Sequence, residues 1–299
     1  MSAPPFAIAF TIREKFGWSL PALQRLYGHF GADFNLYFVD CGYPAQVRAA
    51  LEEFFATKDN VVRIELKEFT PALATLNHVI PRMRGEDHLF SINNDVLIEP
   101  GMGEYILDTF HATQCALVAP STIEVARNGW REAHHEAEVS AAIVEEGGVL
   151  RVEVPRPPPA PDAPHAPVHR VHHLEVHAVA FTAQAARALM PFPPLRAREH
   201  IDLAVHAWHL GLPVYTDRRA RAAFVLPPIR DYDVAFFDQR WDRDQCHASQ
   251  YEVARRWNIT DFPFQFEFSD NWRVFLEPRH VQRAYAGLFE MDTFPLTFG

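Results

Sequence analysis

The sequence predicts an α/β fold, with a mainly parallel central sheet, helices on both faces and an aromatic-rich C-terminal extension. Three observations carry this expectation. Over the first hundred residues, short β-branched and aromatic runs alternate with amphipathic stretches of helical spacing, the β-α-β-α order of a parallel sheet. The strand-like runs are apolar almost throughout, as strands covered on both faces must be. Three of them stop on polar residues, at Thr11–Arg13, at Asp40 and at Asn93–Asp95. Open α/β sheets bind ligands just beyond the carboxyl ends of their strands, so these positions are the first candidates for a site.

In chain order, residues 6–12 read as the first strand, and residues 20–30 as a helix with Ser19 a candidate N-cap and Pro21 tolerated in the first turn. A strand over 34–39 ending at Asp40, a helix over 44–55, a strand over 61–66, a helix over 72–83 and a strand over 88–92 follow. A helix over 104–112 and a strand over 116–118 continue the alternation. Regularity then weakens: residues 128–142 are rich in Glu and His, and residues 155–167 contain seven prolines. Proline fixes φ and removes an amide donor, so this segment is expected to be a surface loop inserted in the domain. Beyond it, a strand over 174–182, a helix over 183–189, an amphipathic helix over 198–210 closed by Gly211, and a strand over 214–216 resume the pattern. The expected organisation is a main domain over 1–230, with the insertion at about 155–167, and an extension over 231–299 packed on it. Within the extension, residues 245–257 and 279–289 have helical spacing.

Hydrophobic residues make up 48% of the 299-residue chain and charged residues 22%, enough for a core and a solvated surface. The net charge of -10 argues against a binder of nucleic-acid backbone, which needs a basic face. Cys41, Cys115 and Cys246 match no zinc spacing and are too few to pair completely, which suits a reducing compartment. No basic leader opens the chain and no apolar run of transmembrane length is present, so a cytoplasmic protein is expected.

Chemistry concentrates in residues 89–102, LFSINNDVLIEPGM. A carboxylate at a strand end beside two amides suits a divalent cation and the diphosphate it bridges, and hard oxygen ligands select Mn2+ or Mg2+. The same Asn-Asp pair also serves as an ordinary turn. NNDV followed by EPG resembles the metal-binding DxD region of family 2 glycosyltransferases of the Rossmann-like GT-A fold, in its rhamnosyltransferase-like variant. Asn93 matches the first acid of that motif and Asp95 the second. A second segment, residues 192–220, resembles the acceptor-side helix and following strand of the family: Glu199, Asp202, Gly211, Val214, Tyr215 and Asp217 match its order. Two ordered motifs are more specific than either alone.

The resemblance covers about residues 6–225 and implies an enzyme that moves a sugar from a UDP-, GDP- or dTDP-linked donor, with inversion, to an acceptor the sequence leaves open. It implies Thr11, Arg13, Asp40, Asn93, Asn94 and Asp95 at the donor, Asp95 and Asn93 at the Mn2+ or Mg2+, and Glu199, His200 and Asp202 as the catalytic group, and the basic residues Arg218, Arg219 or Arg221 are candidates to neutralise the diphosphate in place of the metal. His177 and Trp130 are secondary candidates on the acceptor side. Two departures stand out: the usual Glu-Asp pair reads Glu199-His200, and residues 221–228 lack the histidine that often completes the metal site. Glu199 is the favoured base, with His200 an alternative; its plainer role is to favour a helix N-terminus. Of the 16 histidines, His134, His135, His169, His172, His173 and His177 resemble metal-site material but have no standard zinc spacing, and are expected to be ordinary solvated or satisfied groups. Two other readings stay open: a nucleotidyltransferase, against which the single glycine of TIREKFGWS argues, and a non-catalytic relative that binds a nucleotide or a partner.

Overall fold

The structure, a computed structural model, describes residues 4–125, 131–135, 142–152, 167–225 and 229–266. Strand β1 (Phe6–Thr11), helix α1 (Ser19–His29), β2 (Phe34–Asp40), α2 (Ala45–Phe55) and β3 (Val61–Glu65) open the chain. A short α3 (Leu76–Val79) lies between two 3-10 turns. Next come β4 (His88–Asn93), β5 (Val96–Ile98), α4 (Met102–Thr113), β6 (Leu117–Val125) and β7 (Arg131–His135). The hairpin β8 (Val144–Glu146) and β9 (Val149–Arg151) is followed by β10 (Val168–Val171), β11 (Ala178–Thr182) and α5 (Ala183–Ala188). Helix α6 (Glu199–His209), β12 (Val214–Val225), α7 (Val234–Arg240) and α8 (Arg243–Arg256) complete the described chain.

The α/β class holds, with helices flanking one large sheet of order β10-β12-β6-β11-β4-β1-β2-β3. That sheet is mixed. The half that follows β-α-β order, β3-β2-β1-β4, is parallel. Beyond β4 the direction reverses: β11 runs antiparallel to both β4 and β6, and β12 is parallel to β6. β5 turns back just after β4 to pair antiparallel with the far end of β12, curling the sheet over its own carboxyl edge. The central strands are covered on both sides, with every residue of β1 buried and one core running from Phe6 to Phe236, while the edge strand β3 buries only Ile64 fully.

Local differences from expectation have physical causes. The helix expected over 72–83 breaks into 3-10 and α turns, since Pro81 lacks the amide an α-helix needs there. Trp18, not Ser19, precedes α1, and the Ser19 hydroxyl bonds to Tyr43 and Asn94 instead. Gly101 enters α4 at φ 83°, where a β-carbon would be strained, and its amide donates to the His29 carbonyl at 2.8 Å. Gly103 lies so close to Phe30 that a β-carbon would stand 2.7 Å from the ring and 2.9 Å from its carbonyl oxygen.

Residues 231–266 pack on the rest of the chain. Phe236 stacks edge-on against Phe16 and Phe69. Asp233 accepts from the amides of Phe16 at 2.7 Å and Arg230 at 2.9 Å. Val253, Ile259 and Phe262 share a small core with Ile201 and Val205 of α6. The helix expected over 279–289 and most of the Pro-rich insertion lie outside the described residues.

Candidate functional site

β1 and β4 are parallel neighbours with Thr11 opposite Asn93, so their polar ends fall at one level. The Thr11 hydroxyl donates to Asn93 Oδ1 at 3.1 Å, and the Asn94 amide donates to the Thr11 carbonyl at 2.9 Å. The Asn94 side chain is wholly used inside the protein. Its Oδ1 accepts from the Arg13 amide at 3.1 Å, and its Nδ2 donates to the Lys15 carbonyl at 2.5 Å and to the Ser19 hydroxyl at 2.8 Å. Asn94 therefore braces the loop after β1 against the end of β4, and Thr11 aligns Asn93. Both side chains, expected at the donor, are engaged in these internal hydrogen bonds.

Two groups on this brace retain capacity. Asn93 Nδ2 and Asp95 Oδ1 are buried with no hydrogen-bond partner among the described residues. Since the oxygen of Asn93 already accepts from Thr11, what it has left is an N–H donor, which fits an anionic oxygen better than a cation. Asp95 is the group that fits a metal: a buried carboxylate oxygen with no protein donor on it. Burial pushes its carboxyl up to about 7, although Arg13 and Lys15 pull the other way. A cation would offset that burial and hold Asp95 ionised.

Arg13 sits at the centre. Its guanidinium lies 5.7 Å from the centroid of the Phe224 ring, and its Nη1 is 3.0 Å from His177 Nδ1. Its Nε is 3.6 Å from Glu14 Oε1, and the buried Lys15 Nζ is 3.6 Å from Glu14 Oε2. Burial works against the charge of Arg13, but the fields of Glu199, Glu14, Asp95 and Glu175 outweigh it and hold its pKa above the ordinary value. The charge of this part-buried cation is thus felt by four carboxylates, from the loop after β1, the turn after β4, the loop before β11 and the start of α6.

α6 begins at Glu199 after Arg198, which holds a left-handed φ of 61°. Glu199 Oε1 accepts from Arg240 Nη2 at 3.3 Å. Burial opposes its ionisation, yet Arg240, Arg13 and His200 together keep its carboxyl below the usual range. It is therefore ionised at neutral pH, as a base must be. The next residue, His200, meets the ring of His173 edge-on at 5.5 Å.

Other predicted residues are placed elsewhere. Asp202 is buried against α8, accepting from Trp257 Nε1 at 2.7 Å and Arg256 Nη1 at 3.1 Å, so it clamps two helices together and does not join Glu199. Arg218 lies in β12, its amide donating to the Pro167 carbonyl at 2.8 Å beside the β10 edge, and the residue of β12 that reaches Arg13 is Phe224, farther along the strand. Asp40 ends β2 as expected, but its Oδ1 accepts from the amides of Gly42 and Tyr43 at 2.8 and 2.9 Å, and its Oδ2 pairs with Arg48 at 3.1 Å. His177 is in the site, as the partner of Arg13 rather than as an open acceptor contact. Trp130 lies outside the described residues.

Sequence reasoning missed Lys15, Glu175, Phe224 and Arg240, and set His173 aside as an ordinary solvated or satisfied group. Lys15 and Phe224 carry no signal beyond their nearness to predicted strand ends. The run His172-His173-Leu174-Glu175-Val176-His177 does carry one, alternating metal-binding side chains with apolar ones, but its partner on α6 is 25 positions away from Glu175.

No family model matches the sequence, and no curated protein matches it. Solved structures do resemble it. The likeness is one of chain path: GalNAc-T7, crystallised with UDP, GalNAc and Mn2+, matches at a TM-score of 0.57 and 8% identity over 91% of this chain and 57% of its own. The present chain thus spans little more than half of that protein. TarS of S. aureus, residues 1–349 with UDP-GlcNAc, matches at 0.55 and 12% identity over 97% and 74%. The mannosyltransferase PcManGT of Pyrobaculum calidifontis, with GDP-Man and Mn2+, matches at 0.55 and 12% over 96% and 76%. Among the described residues no helix is long and apolar enough to cross a membrane. At these identities the likeness establishes the fold, and the fold is that of the GT-A glycosyltransferases.

Proposed function

We propose that the chain is a glycosyltransferase that takes a sugar from a nucleoside-diphosphate donor. The observation that carries this reading is a buried carboxylate with one oxygen unpartnered, Asp95, and an ionised carboxylate at a helix start, Glu199, both acting on the charge of Arg13. The two are the pieces the reaction needs, a place for the diphosphate and a base for the acceptor. The structural neighbours crystallised with UDP, UDP-GlcNAc or GDP-Man support the donor class, and two of them with Mn2+ support the cation.

Asp95 would hold the Mn2+ or Mg2+. Asn93 Nδ2, aimed by Thr11, donates to a phosphate oxygen, and Lys15 and Arg13 add positive field. When bound, the cation supplies charge that stabilises the departing nucleoside diphosphate. Glu199 removes the proton of the acceptor hydroxyl, whose oxygen attacks the anomeric carbon from the side opposite the diphosphate, inverting its configuration. Arg240 orients Glu199 and keeps it ionised.

Thermal-shift and calorimetric titrations with UDP, GDP and dTDP, each with and without Mn2+, test the donor site. One nucleotide should stabilise the protein in a Mn2+-dependent way, and Asp95→Ala should abolish the response. Release of that nucleoside diphosphate from its sugar conjugate then tests transfer. Binding without turnover over a wide acceptor panel would leave a non-catalytic nucleotide-binding protein, a reading favoured by the engagement of Glu199 with Arg240. No response to any nucleotide would end the proposal.

A further inference from the structure

A second cluster lies beside Glu199 and is not used by the reaction above. His173 and Glu175, in the loop before β11, meet His200 in the first turn of α6, and one ligating atom from each lies within 4.8 Å of the others. His173 Nε2 is 3.6 Å from Glu175 Oε1. The two imidazoles stand at 77° to each other, so an edge of one, and not its face, is offered to the other. All three side chains are half-buried, screened from solvent yet reachable by an ion.

From this geometry we infer that His173, Glu175 and His200 form a binding site for a divalent transition-metal ion, Zn2+ foremost. Two imidazoles and one carboxylate are a borderline nitrogen–oxygen set, which selects Zn2+ and its first-row neighbours, whereas Mg2+ and Ca2+ want oxygen throughout. A tetrahedral ion with bonds of about 2.1 Å spaces its ligand atoms about 3.4 Å apart. The His173–Glu175 separation already matches, and small side-chain rotations bring His200 to it. The carboxylate also has a counter-charge, because Glu175 adds to the field at Arg13.

This site is distinct from the one assigned to Asp95, and the inference does not depend on sugar transfer. Three protein ligands leave at least one position open for an outside oxygen, next to Glu199. A His200 that ligates a metal keeps its lone pair on the ion and does not serve as a base, which leaves that role to Glu199 alone.

The test is titration of chelator-stripped full-length protein with Co2+, followed by visible absorption and calorimetry, and then displacement by Zn2+. The expected result is one equivalent of Co2+ with the strong bands of a four- or five-coordinate ion, any further uptake at the oxygen site of Asp95 giving only the weak bands of an octahedral one. Affinity should fall about a hundredfold in His173→Ala and in Glu175→Ala, and stay unchanged in Asp95→Asn. His173 and Glu175 are loop residues, so these variants are the primary probes. His200→Ala is read only alongside circular dichroism showing a folded protein. The inference is overturned if wild type takes up no Co2+, if the His173→Ala/Glu175→Ala double variant binds as wild type does, or if only Asp95→Asn loses the ion. A nucleotide-free, activity-free readout separates this outcome from failure of the sugar-transfer proposal.

Discussion

Arg13 Nη1 and His177 Nδ1 face each other at 3.0 Å. A guanidinium has no acceptor, so it donates, Nδ1 carries the lone pair, and the imidazole is neutral with its ring proton on Nε2. The ring also lies 4.0 Å from that of Phe224, whose face receives Arg13. A neutral histidine just before β11, beside the end of β4, thus fixes the cation on which the site is built.

His177→Ala should release one side of Arg13 and leave a buried donor without its acceptor. We expect a loss of about 1–3 kcal/mol in urea unfolding, together with weaker nucleotide binding. Unchanged nucleotide affinity would separate Arg13 from the donor site.

Asp95 gives a pH signature. Burial raises its folded pKa from 3.8 to about 7, so the folded chain keeps a proton that the unfolded chain has lost. Stability then falls as pH rises from about 4 to about 7. In the absence of cation and nucleotide, Asp95→Asn should melt above wild type at about pH 8 and level with it at about pH 4. Mn2+ should raise the melting temperature of wild type at the higher pH and leave the variant unmoved. Parallel melting curves across the range would contradict the buried, unpartnered carboxylate.

The two acids of α6 should separate. Glu199→Gln is expected to lower kcat by about 10²–10⁴ with nucleotide affinity intact. Asp202→Asn, which weakens the grip on Arg256 and Trp257, should cost about 1–3 kcal/mol of stability and leave kcat within a few fold. The reverse pattern would reassign the base.

Two glycines give a packing control. Gly103→Ala would drive a β-carbon into the ring and the carbonyl of Phe30, and should destabilise by about 1–3 kcal/mol. Gly28, inside α1, has nothing within 4 Å of the same atom, so Gly28→Ala should stabilise by up to about 1 kcal/mol. Equal melting temperatures for the two variants would refute the close approach.

What was legible in the sequence follows the range of the interactions. Thr11, Asn93 and Asp95 could be seen because an apolar run ends abruptly at each, and strand ends in a parallel sheet gather at one edge. The helix that Glu199 opens could be seen from its amphipathic pattern, while Glu199 itself was singled out by the resemblance of residues 192–220 to a family motif. The curl of β5 onto β12 left no trace, since it depends on where a chain turns back after the motif. The true partners of Asp202, 54 and 55 positions away, could not be read from helix periodicity, which shows that the residue is buried and not against what. For Arg218, a basic run after a predicted strand suggested a cation for the diphosphate, but which residue of β12 reaches Arg13 depends on the curl of the sheet, and that residue is Phe224.

The four carboxylates around Arg13 also bear on how this chain tolerates change. Each helps hold the same buried charge, so the effect of neutralising Glu14, Asp95, Glu175 or Glu199 depends on which of the others has already been altered. Their substitutions will show epistasis: removing one acid can soften the penalty of losing Arg13, and replacing Arg13 first can make the acids hard to keep. Scans that change one position at a time will misjudge this quartet, and the order in which mutations accumulate will decide which combinations still fold.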